Sequence, residues 1–477
     1  MLTRLEVDNF KNLLDFSIDF GPFTCIAGEN GVGKSNIFDA IHFLSLLADH
    51  SILEAALRIR GEGSESSEVT TNDLSDIFWG RGADQNQEIR LAAEMIVDRD
   101  SIDDFGRKAI ATATYLRYEV RLKFTPPTGP GDMGRLTLAS EELKQITEGE
   151  AGARLSFPHS ASKFRAKVVK NARKTKSGFI SSETAKDGHV EILVHQDGGA
   201  RGQPQRAPAI SAPRTIVGTS NTSVTPTILA AKREMQNWRI FALEPSAMRQ
   251  VDRFHSPRTI SESGAHVPGT LYKLALASGS DAAAQSKVYA SVANRLAELV
   301  PVDAVEVQID DVRQLLTVVA DERGGIRLPA RSLSDGTLRF LTLCVLSEDP
   351  DAHGLICMEE PENGIHPAKL QSMIDLLRDL AVDPFEEVDT DNPMRQLIIA
   401  THSPGLVQLQ NQGDLLFATR TSVRNDDGKS VTTLRCKPLP ETWRAEKGES
   451  HPIPMPAILA YLTNQPGSQI SISYADV

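Results

Sequence analysis

Four short stretches of this sequence combine residue types and spacings that could do chemistry, and the strongest is a glycine-rich loop. Gly28-Glu29-Asn30-Gly31-Val32-Gly33-Lys34-Ser35 fits the pattern GxxxxGK[ST]. In such a loop the glycines let backbone N–H groups turn inward around the β- and γ-phosphates of ATP, and the helix that follows adds a favourable dipole. Lys34 is then expected on the phosphates and the Ser35 hydroxyl on Mg²⁺, with Asn30, Gly31, Gly33 and Asn36 completing the cradle. The flanks agree: Phe23–Ala27 is an apolar run of strand length, and Ile37, Ile41, Leu44 and Leu47 recur on one helical face.

A phosphate loop needs an acidic strand beside it. The apolar run Gly354–Met358 ends in Glu359 and Glu360. A buried parallel strand ends at the sheet's carboxyl edge, where ligands of open α/β folds bind. Glu359 is expected near Mg²⁺, through water, and Glu360 as the carboxylate that polarises the attacking water. A second apolar run, Leu397–Ala400, ends in Thr401-His402-Ser403, which makes His402 a candidate sensor of the γ-phosphate. Ser334-Asp335-Gly336-Thr337 precedes the helical run Leu338–Leu346. Ser334 is a good N-cap, and Gly336 permits a ligand to approach the backbone. A helix start of this kind can bind a γ-phosphate, and the expected target is the ATP of a second subunit.

The elements that must position these residues can be read coarsely. Leu2–Asn9 and Leu14–Phe20 alternate as half-buried strands, and Ile89–Val97, Tyr115–Phe124 and Arg135–Ala139 read as further strands. Lys287–Leu299 has helical spacing, and Val305–Ile309 with Leu315–Ala320 reads as a strand pair. The stretch from His195 to Thr227 is rich in Gly, Pro, Ser and Thr and is expected to be partly mobile. The division this suggests is an N-terminal lobe with the phosphate loop over 1–150, an inserted domain over 151–300, a returning core over 301–410, and a tail over 411–477. The fold class expected is α/β: a P-loop ATPase sheet with flanking helices, interrupted by an inserted α+β domain.

With 477 residues the chain is long enough for two or three domains. Its 51 Lys and Arg against 63 Asp and Glu give a net charge of −12, which argues against general coating of nucleic acid or anionic membrane. A local exception is the run Lys163, Arg165, Lys167, Lys170, Arg173, Lys174 and Lys176, which contains no acid. On one helix, Lys163, Lys167, Lys170 and Lys174 would share a face opposite Phe164, Val168 and Ala172. Such a stripe could contact nucleic-acid phosphates without sequence readout, dock an acidic partner, or be a solvated face. The four cysteines, Cys25, Cys344, Cys357 and Cys436, are far apart and read as reduced core thiols. The charged start and the lack of a long apolar run predict a cytoplasmic protein.

The order of motifs resembles the ABC-type ATPases of the SMC/RecF group, mainly over residues 1–50 and 300–410. Within that group Asn9-Phe10-Lys11, the loop Gly28–Asn36, and Glu360-Pro361-Glu362-Asn363-Gly364-Ile365-His366-Pro367 are most similar to stand-alone relatives of the OLD nucleases, many from bacterial anti-phage systems. Trp238–Arg249 is a weaker match. The resemblance implies a head-to-tail homodimer sandwiching two ATP molecules, each loop facing Ser334 and Gly336 of the other chain. It also implies that Lys11 reaches the nucleotide and that Asn363 and His366 lie near the dimer seam. Two departures stand out. Glu359 occupies a position where many relatives have Asp, and no Q-loop glutamine is evident beyond the nearby candidates Gln85 and Gln87. The OLD nucleases add a Toprim domain, for which the tail after His402, with only Asp426-Asp427 in a polar turn, is too short. No nuclease site is expected here, so any cleavage would come from a separately encoded effector, of Toprim type for instance. The role so implied is an ATPase subunit of an anti-phage complex. The alternatives are a RecF-like repair ATPase and a nucleotide-switched scaffold that regulates a partner.

Overall fold

Two strand patterns run through the chain, and each makes its own sheet. Phe23–Ala27, Gly354–Glu359 and Arg395–Thr401 are buried almost continuously, as parallel strands covered on both faces must be. Leu2–Asp8 and Tyr115–Thr125 alternate between buried and partly exposed residues, the pattern of an antiparallel sheet with one covered face. The computed structural model describes residues 1–61, 74–79, 88–127, 129, 132, 134–171, 178–186, 188–197, 203–279, 281–424, 430–447 and 451–463.

The central sheet runs in the order Trp238–Phe241, Gly354–Glu359, Arg395–Thr401, Phe23–Ala27, Leu415–Arg424, Ser430–Pro438. Its first five strands are parallel and the last turns back antiparallel. The second sheet has eight antiparallel strands, from Gln205–Pro208 at one edge through Tyr115–Thr125 and Leu2–Asp8 to Phe16–Asp19 at the other. Helix Lys34–Asp49 is packed between the two sheets and buries eleven of its sixteen residues. Successive residues of the central strands serve opposite cores. Ile26, Cys357 and Ile398 face this helix and the antiparallel sheet, whereas Cys25, Ile356 and Ile399 face helices such as Asp335–Glu348 and Leu370–Leu380 on the other side. Gln396 ties the sheets together, accepting from Leu2 N at 2.8 Å and donating to Leu2 O and Gly21 O. A smaller sheet, built on the antiparallel pair Val302–Asp310 and Leu315–Glu322, packs against helix Ala282–Leu299 and leads into the Ser334 turn.

The expected division of the chain does not follow the sheets. Ile180–Thr184, Val190–Val194 and Gln205–Pro208 extend the antiparallel sheet past position 150, while Trp238–Phe241 joins the central one. Residues 151–300 are therefore shared among these three sheets, and the tail supplies two central strands. An apolar run announces a strand but not its neighbour, because pairing is non-local. The described residues of the Ser/Thr-rich stretch pack against the core. Thr215 donates its hydroxyl to Leu47 O at 3.1 Å, and helix Pro226–Gln236 packs on Lys34–Asp49.

The basic run is not one helix either. A single π-helical turn, Ala161–Arg165, continues only as far as Val168. Beyond it Thr114 captures the chain: its hydroxyl donates to Val168 O and accepts from Lys170 N, and its own N–H donates to Lys170 O. Phe164 and Val168 are buried as the spacing predicts, but Lys163 pairs with Glu386 and Lys170 caps Ala166 O. Arg173, Lys174, Lys176, Gln85, Gln87, Asp426 and Asp427 lie outside the described residues. Among the described residues no helix is long and apolar enough to cross a membrane.

Candidate nucleotide site

The register of three neighbouring strands assembles the site. Glu359 pairs with Ala400, and Thr401 with Ala27. The phosphate loop, the two glutamates and His402 therefore leave the sheet side by side at its carboxyl edge, on strands about 4.8 Å apart. Asn30, Gly31, Gly33, Lys34, Ser35 and Asn36 line one cavity of about 280 Å³ together with Glu359 and Glu360.

The loop is held in a shape that only glycine tolerates at two points. Gly31 and Gly33 have φ of 73° and 110°, and a Cβ at Gly33 would stand 1.9 Å from Asn12 Nδ2. Gly33 begins helix Lys34–Asp49 without a side-chain cap, so the helix start keeps its capacity for an anion. The Lys34 side chain is buried, and its ammonium donates to Gly28 O at 2.8 Å and Glu29 O at 2.9 Å. Burial pushes the Lys34 pKa below the usual lysine range, while Glu360, Glu359, Glu362 and Glu29 work in the other direction. An anionic phosphate arriving here would meet a cation that is short of solvation.

Opposite the loop, Glu360 is gripped at both oxygens. His402 Nδ1 stands 2.6 Å from Oε1, and Asn363 Nδ2 donates to Oε2 at 2.8 Å. Burial raises the Glu360 pKa, but Asn363 and His402 outweigh it and hold the carboxyl below its ordinary value. Glu360 has a positive φ of 46°, with its N–H on Ala400 O at 2.8 Å. A carboxylate fixed in this way beside a lysine has the geometry to orient and polarise a water. For a cation, the Ser35 hydroxyl and the Glu359 carboxylate offer hard oxygen donors in the same cavity. Among the described residues no group of three or more His, Cys, Asp or Glu could hold a metal alone. That sparse set fits Mg²⁺, which keeps waters and substrate phosphates as ligands.

Lys11, His366, Ser334 and Gly336 do not line this cavity of their own chain. The Lys11 ammonium pairs with Asp39 on the loop's helix. His366 accepts from Ala368 N and so caps a short turn. Ser334 is exposed and caps its own helix by accepting from Thr337 N at 3.2 Å. Its neighbour Asp335 pairs with Arg249, and Gly336 faces Gly364 O of the acidic loop.

Other residues at the site escaped the sequence reading. Asn12 Nδ2 donates to Val32 O at 3.1 Å, and Asn12 Oδ1 accepts from Asn36 at 2.7 Å; it sits one place beyond the motif that drew attention to Lys11. From the tail, Arg420 donates to Gly31 O, and Tyr461 OH donates to Glu29 at 3.1 Å. No local pattern marks either of these.

Two family models match the chain. One described as "AAA ATPase domain" matches residues 1–197, and one described as "AAA domain, putative AbiEii toxin, Type IV TA system" matches residues 251–408. Proteins described as DNA replication and repair protein RecF are similar over short stretches: 45% identity over 51 residues in Parabacteroides distasonis and 40% over 65 residues in Lactococcus lactis subsp. cremoris. Both ends of the chain thus match models of AAA-type ATPase domains. The stretches matched to RecF cover 10% and 13% of this chain, and span only 14% and 18% of those relatives. An SMC head bound to the C-winged helix domain of ScpA aligns over 92% of this chain and 98% of its own, at 14% identity and a TM-score of 0.46. The SMC head domain with an extended coiled coil from Pyrococcus furiosus aligns over 94% and 97%, at 11% identity and a TM-score of 0.45.

Proposed function

We propose that ATP closes two copies of this ATPase head to tail, and that hydrolysis at Glu360 reopens them. In this reading Lys34 and the loop amides hold the phosphates, Ser35 and Glu359 hold Mg²⁺, Glu360 polarises the attacking water, and His402 reports the γ-phosphate to it. Ser334 and Gly336 of the second copy would close the other side. The supporting observation is a separation. Lys34, Glu359 and Glu360 line one cavity, with His402 bonded to Glu360, whereas the Ser334 helix start is exposed and does not line it. Light scattering with ATP and Mg²⁺ tests this. A dimer that persists in Glu360→Gln and never forms in Lys34→Ala supports the reading. Equal, negligible turnover in wild type and Glu360→Gln, with no ATP-dependent dimer, would sink it.

The motion would control a DNA-directed or effector activity, within a bacterial anti-phage complex whose effector is a separate chain. The toxin–antitoxin description attached to the model over residues 251–408 supports that role. A repair role is favoured by a different observation, the similarity to RecF. DNA contact would fall to Lys163, Arg165, Lys167 and Lys170 among the described residues. Steady-state turnover with and without DNA, measured beside that of a co-purified neighbour-encoded protein, separates the roles. Stimulation by DNA alone supports repair, and stimulation that needs the partner supports defence.

A further inference from the structure

The acidic loop carries a third carboxylate that the proposed hydrolysis leaves unused. Glu362 is only 8% exposed, separated from Glu360 by the buried Pro361, whose ring fixes the backbone between them. Its Oε1 accepts the hydroxyl of Thr401, and its Oε2 is buried with no hydrogen-bond partner. A bare buried carboxylate oxygen is costly, and in a native site it calls for an explanation.

Thr401 supplies one, because it is a junction. Its carbonyl accepts from Gly28 N at 3.1 Å, the first N–H of the phosphate loop. Its hydroxyl also accepts from Ser403 N at 2.9 Å, which turns the chain around His402. His402 in turn is bonded to Glu360. Glu362 thus grips the residue that stands between the phosphate loop on one side and the histidine–glutamate pair on the other.

We propose that Glu362 is a positioning residue: acting through Thr401, it locks the start of the phosphate loop and His402 into one unit facing Glu360. The consequence for turnover rests on the hydrolytic reading above, but the tie itself does not.

Four variants test it: Glu362→Ala, Thr401→Val, their double, and Thr401→Ser, which keeps the hydroxyl. Glu362→Ala and Thr401→Val should each lower kcat about tenfold while the ATP Kd moves less than about threefold, since the phosphate cradle itself is intact. Thr401→Ser should stay within about twofold of wild type, and the double should be no worse than either single, as for two halves of one contact. Wild-type kcat in Glu362→Ala, or an additive double, would overturn the proposal. A second readout does not depend on turnover. Hydrogen exchange at the Gly28 amide should quicken in Glu362→Ala and Thr401→Val but not in Thr401→Ser, while the Leu397 amide, held by Pro22 O, stays unchanged. If Glu360→Gln turns over like wild type, the hydrolytic reading fails and Gly28 exchange still decides the tie. Unchanged Gly28 exchange in Glu362→Ala defeats the tie whatever Glu360→Gln does.

Discussion

Three helix starts in this protein treat the same electrostatic feature in three ways. At Lys34–Asp49 the start has no side-chain cap, is lined by glycine, and carries a buried lysine beneath two glutamates. At Asp335–Glu348 the start is capped by its own Ser334 and faces solvent. At the short helix Ile216–Thr219 the first two amides are stopped by the buried Glu141, which accepts from Ile216 N at 2.6 Å and Val217 N at 3.0 Å. All three have the partial positive charge of a helix N-terminus. What differs is occupancy: one is open, one is self-capped at the surface, and one is plugged from inside. In the proposed dimer the first would hold a phosphate and the second would be offered to the other copy.

The largest expected effect sharpens the first case. Glu360→Gln keeps the side chain's size and one acceptor oxygen of the cluster but removes the base, so kcat should fall about 10²- to 10³-fold with ATP binding retained, as read by phosphate release and equilibrium binding. Lys34→Ala acts on binding instead. It removes a cation and two hydrogen bonds that brace the loop, and ATP affinity should drop about 100-fold in a fluorescent-nucleotide titration. Ser334→Arg probes the second helix start. Binding to a single chain should be unchanged, while ATP-dependent dimer and turnover fall about tenfold and the lost cap costs about 1 kcal/mol of stability. Reduced single-chain ATP affinity in Ser334→Arg would break the contrast between the first two.

The smallest effect belongs to the plugged start. Burial raises the Glu141 pKa to about 7, against the donors Val217, Ile216 and Tyr118. The folded protein therefore binds a proton there that the unfolded chain, with an ordinary carboxyl, has already lost. The stabilising contribution is complete below the ordinary carboxylate range and is lost as pH rises through about 7. Glu141→Gln should flatten this part of the Tm–pH curve and shift Tm by a few degrees relative to wild type at pH 8. An unchanged slope would show that Glu141 is ionised in the folded state at neutral pH.

Much of the site was legible because its pieces are local. A glycine loop between an apolar strand and a helix, an apolar run ending in two glutamates, and another ending before histidine are each contained in about ten residues. Where the reading erred, local spacing misled it. Phe164 and Val168 do share a buried face, but the helix they suggest stops at Val168 because Thr114, fifty-four residues away, offers its backbone and hydroxyl a strand-like pairing. The reading also passed over Asn12, which reaches the loop beside Lys11, whose own ammonium pairs with Asp39. Side-chain direction at a turn with positive φ, as at Lys11, is not written in the residue order.

The sequence alone determined which residues stand at the ends of buried strands and at the start of the phosphate-loop helix, because apolar periodicity and glycine placement follow from backbone geometry over a few residues. Only the tertiary structure decided that those ends meet. Residues 23–27, 354–359 and 395–401 become neighbours through the closure of long loops, and the same closure brings Arg420 and Tyr461 onto the loop and Glu362 onto Thr401. Such contacts depend on how whole faces pack, so no local spacing could announce them.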